Sequence, residues 1–231
     1  VFSCHQIYEE AMYYEPGVTS HGLPYDPFKS CVVPRPIGWI STTSVDGVDN
    51  LAPYSQFQNV TFDPPTVLFI GNQRSTGGPK DSVRNAEDTG EFVWNMATWD
   101  LREAVNLTSE EYGPEVDEFE RAGLAKIASL KVKPPRVAAS PIHFECRYLQ
   151  TIRVPGSSPM GTVDIVMGRV VAVHIDDRFL DHGKIDIARI RPIARLGYYQ
   201  YCSIDSVFDM LPPPGRRLRA GLEGSAEKAR A

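Results

Sequence analysis

The feature that most limits the fold is an Asp46-Gly47 pair set between two runs of strand-forming residues. Ile37-Gly38-Trp39-Ile40-Ser41-Thr42-Thr43-Ser44-Val45 precedes it, and Val48 through Leu51-Ala52 follows. Asp-Gly readily supplies the positive φ of a tight turn, so the two runs are expected to pair as an antiparallel hairpin. Pro53 has no N–H to donate and is expected to end the return strand.

More strand signals follow. Thr66-Val67-Leu68-Phe69-Ile70 is a continuous apolar run, consistent with burial on both faces. Glu91-Phe92-Val93-Trp94-Asn95-Met96 and Phe144-Glu145-Cys146-Arg147-Tyr148-Leu149-Gln150 alternate, and 162–175 is long and rich in Val and Ile. Helices are fewer. Pro79-Lys80-Asp81-Ser82 has the residues of a helix start, and helical stretches are expected over 101–107 and 116–122, the second stopped by Gly123. Strands with a few inserted helices and no βαβ alternation predict a mainly β chain forming a closed or nearly closed antiparallel barrel.

The ends differ from this middle. Residues 1–24, with Pro16 and Pro24, are expected to form an irregular arm, and 25–205 the barrel domain. Residues 206–231, with Pro212-Pro213-Pro214-Gly215 and a charged, Ala-rich end, are expected to be a disordered or loosely helical tail.

At 231 residues the chain can bury a self-sufficient core. Its 24 Lys+Arg against 29 Asp+Glu give a net charge of −5, no global reason to seek nucleic acid or an anionic membrane. The basic cluster Arg216-Arg217-Leu218-Arg219 is read as a solvated tail. No apolar run approaches the ~18 residues of a spanning helix, and Val1-Phe2-Ser3-Cys4-His5 lacks the features of a secretory signal. Cys4, Cys31, Cys146 and Cys202 are scattered with no C-x-x-C pair, so free thiols and a cytoplasmic setting are expected.

Common catalytic motifs are missing. No G-x-G-x-x-G opens a helix, and there is no G-x-S-x-G or H-E-x-x-H. Gly156 and Gly161 have the spacing of a phosphate loop, but Thr162 stands where its lysine must be. The histidines at 5, 21, 143, 174 and 182 show no metal-binding spacing.

Three segments remain: Arg35-Pro36-Ile37-Gly38-Trp39-Ile40-Ser41-Thr42, Asn50-Leu51-Ala52-Pro53-Tyr54-Ser55-Gln56-Phe57-Gln58-Asn59 and Lys80-Asp81-Ser82-Val83-Arg84-Asn85. Together they resemble the flavin reductase-like family, whose members bind FMN in a split β-barrel. Asp63-Pro64-Pro65, Asp117-Glu118-Phe119 and Gly168-Arg169-Val170-Val171-Ala172-Val173-His174-Ile175 are similar to its longer members, so the resemblance covers roughly residues 25 to 200.

An FMN site needs an apolar wall, backbone groups at the ring edge, and small polar residues or cations around the phosphate. Trp39 is a candidate wall for the isoalloxazine, or else a core tryptophan. Ser41 and Thr42 are candidates for the ribityl chain or phosphate, or else plain strand residues. The resemblance places Asn50, Ala52, Tyr54, Ser55 and Phe57 on the loop crossing the flavin edge, where Pro53 would free main-chain groups. Lys80 and Ser82 at the helix start would meet the phosphate, with Arg74 and Arg84 as alternatives and Asn85 completing the set. Asp81 would cap the helix or orient Lys80 or Asn85. His174 is a structural residue or, by the resemblance, a catalytic contact to nicotinamide or substrate.

The resemblance implies an FMN-dependent NAD(P)H:flavin reductase, with hydride passing from nicotinamide to flavin at about 3–3.5 Å and a partner oxygenase or small acceptor downstream. A flavoredoxin-like electron carrier without a nicotinamide site is the alternative, and a non-catalytic flavin binder a third reading. A homodimer is implied, with the aromatic arm of Tyr8, Tyr13, Tyr14 and Tyr25 suited to cover a partner.

Overall fold

A computed structural model describes residues 11–210. Cys4, His5, Tyr8, Pro212-Pro213-Pro214 and Arg216-Arg217-Leu218-Arg219, about which the sequence raised expectations, lie outside the described residues.

After an arm in which 11–27 form no helix or strand, β1 (Arg35–Pro36) leads into β2 (Gly38–Thr43) and β3 (Asp49–Tyr54). The hairpin joining β2 and β3 is as expected: Ser44 N–H donates to Val48 O at 2.8 Å, and Gly47 takes φ +87°. β4 (Phe57–Phe62) and β5 (Pro65–Asn72) form the next hairpin, followed by α1 (Asp81–Thr89) and β6 (Glu91–Asn95). α2 (Arg102–Leu107) and α3 (Glu118–Arg121) match the expected helical stretches, and Gly123 at φ +63° stops the second. Asp117 caps α3, its carboxylate accepting from Phe119 and Glu120 N–H.

β7 (Lys126–Ile127) and β8 (Arg136–Val137) pair with each other. The long strands β9 (Ile142–Val154) and β10 (Val163–Ile175) pair along their whole length. The small β11 (Leu180–Asp181) and β12 (Lys184–Ile185), α4 (Ile187–Ile190), and the hairpin β13 (Ile193–Gly197) and β14 (Gln200–Ser203) complete the chain.

Seven strands make one antiparallel sheet in the order β3-β2-β6-β9-β10-β5-β4. Its two edge strands are separated by only Ser55 and Gln56, so the sheet must curl until its edges meet. Gln56, in that break, accepts Ile70 N–H at 2.9 Å, which extends the β4–β5 ladder. The result is a mainly β split barrel, pulled open where β3 passes into β4.

Pro53 does not end β3. It pairs with Trp39 in regular register, because β3 is an edge strand and the missing N–H costs no ladder bond on its free side. Nor is the 50–59 segment a loop: it is strand, a two-residue break, then strand. β5 is less deeply buried than its sequence suggests, since Leu68 and Ile70 are only half-buried.

The period of two sends β2 side chains to two different cores. Ile40 points into the barrel with Phe69, Phe92, Cys146 and Val166, and Val83 and Ala86 of α1 plug one end. Phe57 stacks on Trp94 there, centroids 5.1 Å apart. Trp39 points the other way, with Leu51, Val105, Phe119 and Val137, under α2 and α3. Both faces of β2 are thus covered, and filling each with large side chains contributes roughly 1.5–3 kcal/mol per residue.

Candidate functional site

At the split lies a cavity of about 320 Å³. β3 and the break supply Asn50, Ala52, Tyr54, Ser55 and Gln56; the end of β5 and the following turn supply Asn72, Gln73 and Arg74; the start of α1 supplies Lys80, Asp81 and Ser82. Met160 and the 109–112 segment close the rim.

The start of α1 is open. Lys80 occupies the N-cap position and no side chain caps it. Val83 and Arg84 N–H both turn back to Lys80 O, while Asp81 and Ser82, whose N–H groups have no intrahelical acceptor, line the cavity. Gly90, at φ +74°, ends the same helix in a left-handed cap.

Tyr54 is the second open feature. Its ring packs on Phe69 at 5.0 Å, and Gly71 permits this: a Cβ there would come within 3.2 Å of the Tyr54 ring. The phenol oxygen is buried without a partner; Ser82 approaches it but directs its own hydrogen to Asn50 Oδ1 at 2.6 Å. Burial pushes the phenol pKa up, so it stays a donor at neutral pH.

Carboxylates also line the site, and each has a visible role. Asp81 is bracketed by Arg74 and Arg84; it pairs with neither Lys80 nor Asn85, because the arginines reach it first. Glu118 is buried and accepts from Asn50 Nδ2 at 3.0 Å and Leu51 N–H at 2.9 Å. Burial raises its pKa against the pull of those bonds. Glu110 accepts the Tyr112 hydroxyl at 2.8 Å. Glu111, half exposed, bridges the two cations: 3.5 Å from Arg74 Nη1 and 3.7 Å from Lys80 Nζ.

Of the sequence candidates, Asn50, Ala52, Tyr54, Ser55, Arg74, Lys80 and Ser82 come together around this cavity. Thr42 and Asn85 lie one layer behind: Asn85 Nδ2 donates to Thr42 Oγ1 at 3.1 Å, and Thr42 to Asn50 Oδ1 at 3.4 Å. They hold Asn50 and do not line the space. Trp39 is fully buried in the other core, its indole N–H on Thr108 Oγ1 at 3.0 Å, so it is a core tryptophan and not a cavity wall. Ser41 is likewise inside, donating to Pro135 O at 2.6 Å. Phe57 faces the barrel interior against Trp94.

His174 is not near the cavity. Val163 and Asp164, at the start of β10, pair with Asn72 and Gly71 beside it, whereas His174 pairs with His143 eleven residues further on. Its Nε2 meets Glu145 Oε1 at 2.6 Å.

Glu118 and Glu111 are the site residues that sequence reasoning missed. Asp117-Glu118-Phe119 stood out only as a family-like string, and nothing local tells that Glu118 reaches back 68 residues to Asn50.

The structure is thus an antiparallel split barrel with an open helix start, two cations and a partnerless phenol around one cavity. The chain belongs to the family of the Flavin reductase like domain, which matches residues 30–201. An uncharacterized protein of Aquifex aeolicus is 39% identical over 74% of this chain and 84% of its own. Among solved structures, nitrilotriacetate monooxygenase component B from Bacillus cereus is 28% identical, with a TM-score of 0.79 over 87% of this chain and 98% of its own. An FMN-binding protein from Thermus thermophilus, with bound p-hydroxybenzaldehyde, shares the fold at 16% identity, with a TM-score of 0.64 over 86% of this chain and 99% of its own.

Proposed function

We propose that the protein is an FMN-dependent oxidoreductase of the NAD(P)H:flavin reductase type, with FMN held in the cavity at the barrel split. The observation that carries this reading is the convergence there of the uncapped α1 start, the partnerless Tyr54 hydroxyl and Lys80, whose one ion pair is with the exposed Glu111, with Arg74 beside them. Lys80, Arg74 and Ser82 would hold the phosphate, displacing Glu111 from the cations. The β3–β4 break would present backbone groups of Ala52, Tyr54 and Ser55 to the ring edge. Glu118 and Thr42 keep the Asn50 amide fixed, so that its Oδ1 takes the Ser82 hydrogen.

Bound there, FMN would supply hydride acceptance from a reduced nicotinamide and onward electron transfer. The chain then needs no acid–base dyad of its own, in keeping with the placement of His174 away from the cavity. The name of the Bacillus cereus protein, a monooxygenase component, supports an oxygenase as electron acceptor.

Exposed Leu149, Ile152, Val171 and Val173 along β9 and β10 support a homodimer that covers them. Cys31, Cys146 and Cys202 are free, which fits a cytoplasmic setting.

The test is an anaerobic absorbance spectrum of the FMN-loaded protein before and after NADH, then NADPH. Bleaching of the flavin bands is expected. Bands that persist with both would replace this reading with that of an electron carrier reduced by another protein.

A further inference from the structure

A second cavity, of about 900 Å³, adjoins the first and shares Lys29 and Ser55 with it. Tyr25 and Tyr198 meet edge to face on its wall, centroids 5.8 Å apart, and Arg35 and Arg195 line it. These arginines are directly opposite each other across β1 and β13. Like charges so placed are destabilising unless something offsets them.

No carboxylate of the described residues pairs with either guanidinium. Arg35 donates to Lys29 O and to Val32 O, the latter at 2.9 Å. Arg195 donates to Tyr198 O and to the Tyr201 hydroxyl. The Nε of Arg35 is buried with no partner. Burial, and then the Arg195 charge, hold the Arg35 pKa below that of an ordinary arginine. Asp26 is the one acid lining the cavity, and its Oδ1 accepts Phe28 N–H at 2.9 Å. Tyr198 sits at φ +47°, a conformation uncommon for an aromatic residue, and such strain gathers at ligand sites.

We propose that this cavity binds the diphosphate of a nicotinamide dinucleotide, with Arg35 and Arg195 as its counterions. Two adjacent guanidinium forks suit two linked phosphates better than one carboxylate. The tyrosine rings offer a stacking surface for the adenine end. Lys29 and Ser55, common to both cavities, mark the way for the nicotinamide end to reach the flavin cavity. The dinucleotide's role as reductant rests on the flavin reading above; the diphosphate site itself does not.

The experiment is calorimetric titration of the full chain with inorganic pyrophosphate, with and without saturating FMN, for wild type, Arg35→Gln and Arg195→Gln. Pyrophosphate should bind wild type in competition with NADH, and each variant should weaken both by roughly tenfold or more while FMN affinity stays within about twofold. Pyrophosphate binding that is absent in wild type, or unchanged in both variants, overturns the proposal. Benzoate binding in preference to pyrophosphate overturns the diphosphate assignment. Should a glutamine variant fail to fold, Arg195→Lys keeps the charge and loses the fork: weakened pyrophosphate binding supports the proposal, and unchanged binding overturns it. Failure of the flavin reading would show separately, as no FMN uptake with the pyrophosphate titration intact.

Discussion

Two buried polar networks sit near opposite ends of β10, and they differ in where their hydrogen bonds go. At the far end Glu145, fully buried, accepts Leu130 N–H at 2.8 Å, Lys131 N–H at 2.6 Å and His174 Nε2 at 2.6 Å. Glu91 accepts Lys133 N–H at 2.6 Å, and His143 Nε2 meets Val137 O at 2.9 Å. Burial holds the His143 pKa down at about 4, so it is neutral at pH 7. Apart from His143 Nδ1, this network closes on the chain and staples the 130–137 segment to the sheet. At the split, by contrast, the phenol of Tyr54, the first turn of α1 and Lys80, held only by the exposed Glu111, are left over. A histidine beside a carboxylate is therefore no better a sign of chemistry than its unused valences. The donors without partners mark the site.

The two networks part most clearly at their glutamates. Glu145→Gln should cost about 1–3 kcal/mol of stability, since its amide nitrogen would face the buried Leu130 or Lys131 N–H and leave that donor unmet, and urea unfolding reads this directly. Glu118→Gln should cost no more than about 1 kcal/mol, because one oxygen can still accept from Asn50 and Leu51. Their pH dependences should also oppose each other. Burial pushes the Glu145 pKa up, but the Leu130 N–H, His174 and Lys131 N–H bonds outweigh it and leave it lowered. Its stabilisation is therefore present above the ordinary carboxylate range and is lost as pH falls through the lowered value. The raised Glu118 pKa acts in reverse: its protonated form favours folding, and that contribution is lost as pH rises through the raised value. Unfolding free energies measured from about pH 3 to 8 for wild type and both variants should show one limb disappear in each.

At the cavity, Lys80→Ala should weaken FMN binding by roughly 1–3 kcal/mol with little change in stability. Unchanged affinity in a folded variant would remove Lys80 from the phosphate site. Tyr54→Phe should lose about 1 kcal/mol of FMN affinity, yet leave the apoprotein as stable or more so, because an orphaned buried hydroxyl is gone. A thermal melt paired with an FMN titration separates the two effects. The smallest change is expected from Glu111→Gln, which frees Lys80 and should tighten FMN by about 0.5 kcal/mol at low salt. Weaker binding there would show that Glu111 does not compete with the phosphate.

Much of the fold was legible because it is written locally. Asp46-Gly47 dictated a hairpin, and Pro79 through Ser82 marked a helix start. What was not legible depends on tertiary position. Pro53 reads as a strand end unless β3 is known to be an edge. β4 was missed because five of its six side chains face solvent and leave no apolar alternation. The β13–β14 hairpin, which carries Arg195, gave no comparable local signal. Seven of the twelve cofactor candidates line one cavity, since the family-like strings mark backbone that converges at the split. Trp39, Ser41 and Phe57 fell elsewhere because sequence gives the alternation along a strand but not which face meets which core.

We propose that the cavity at the barrel split holds FMN through the donors left open around it. A fluorescence titration of apoprotein with FMN tests it most directly, run in parallel on wild type, Lys80→Ala and Glu145→Gln. Saturable uptake by wild type, weakened in Lys80→Ala and unchanged in folded Glu145→Gln, is the predicted result. No uptake by wild type, or equal affinity in all three, would contradict it.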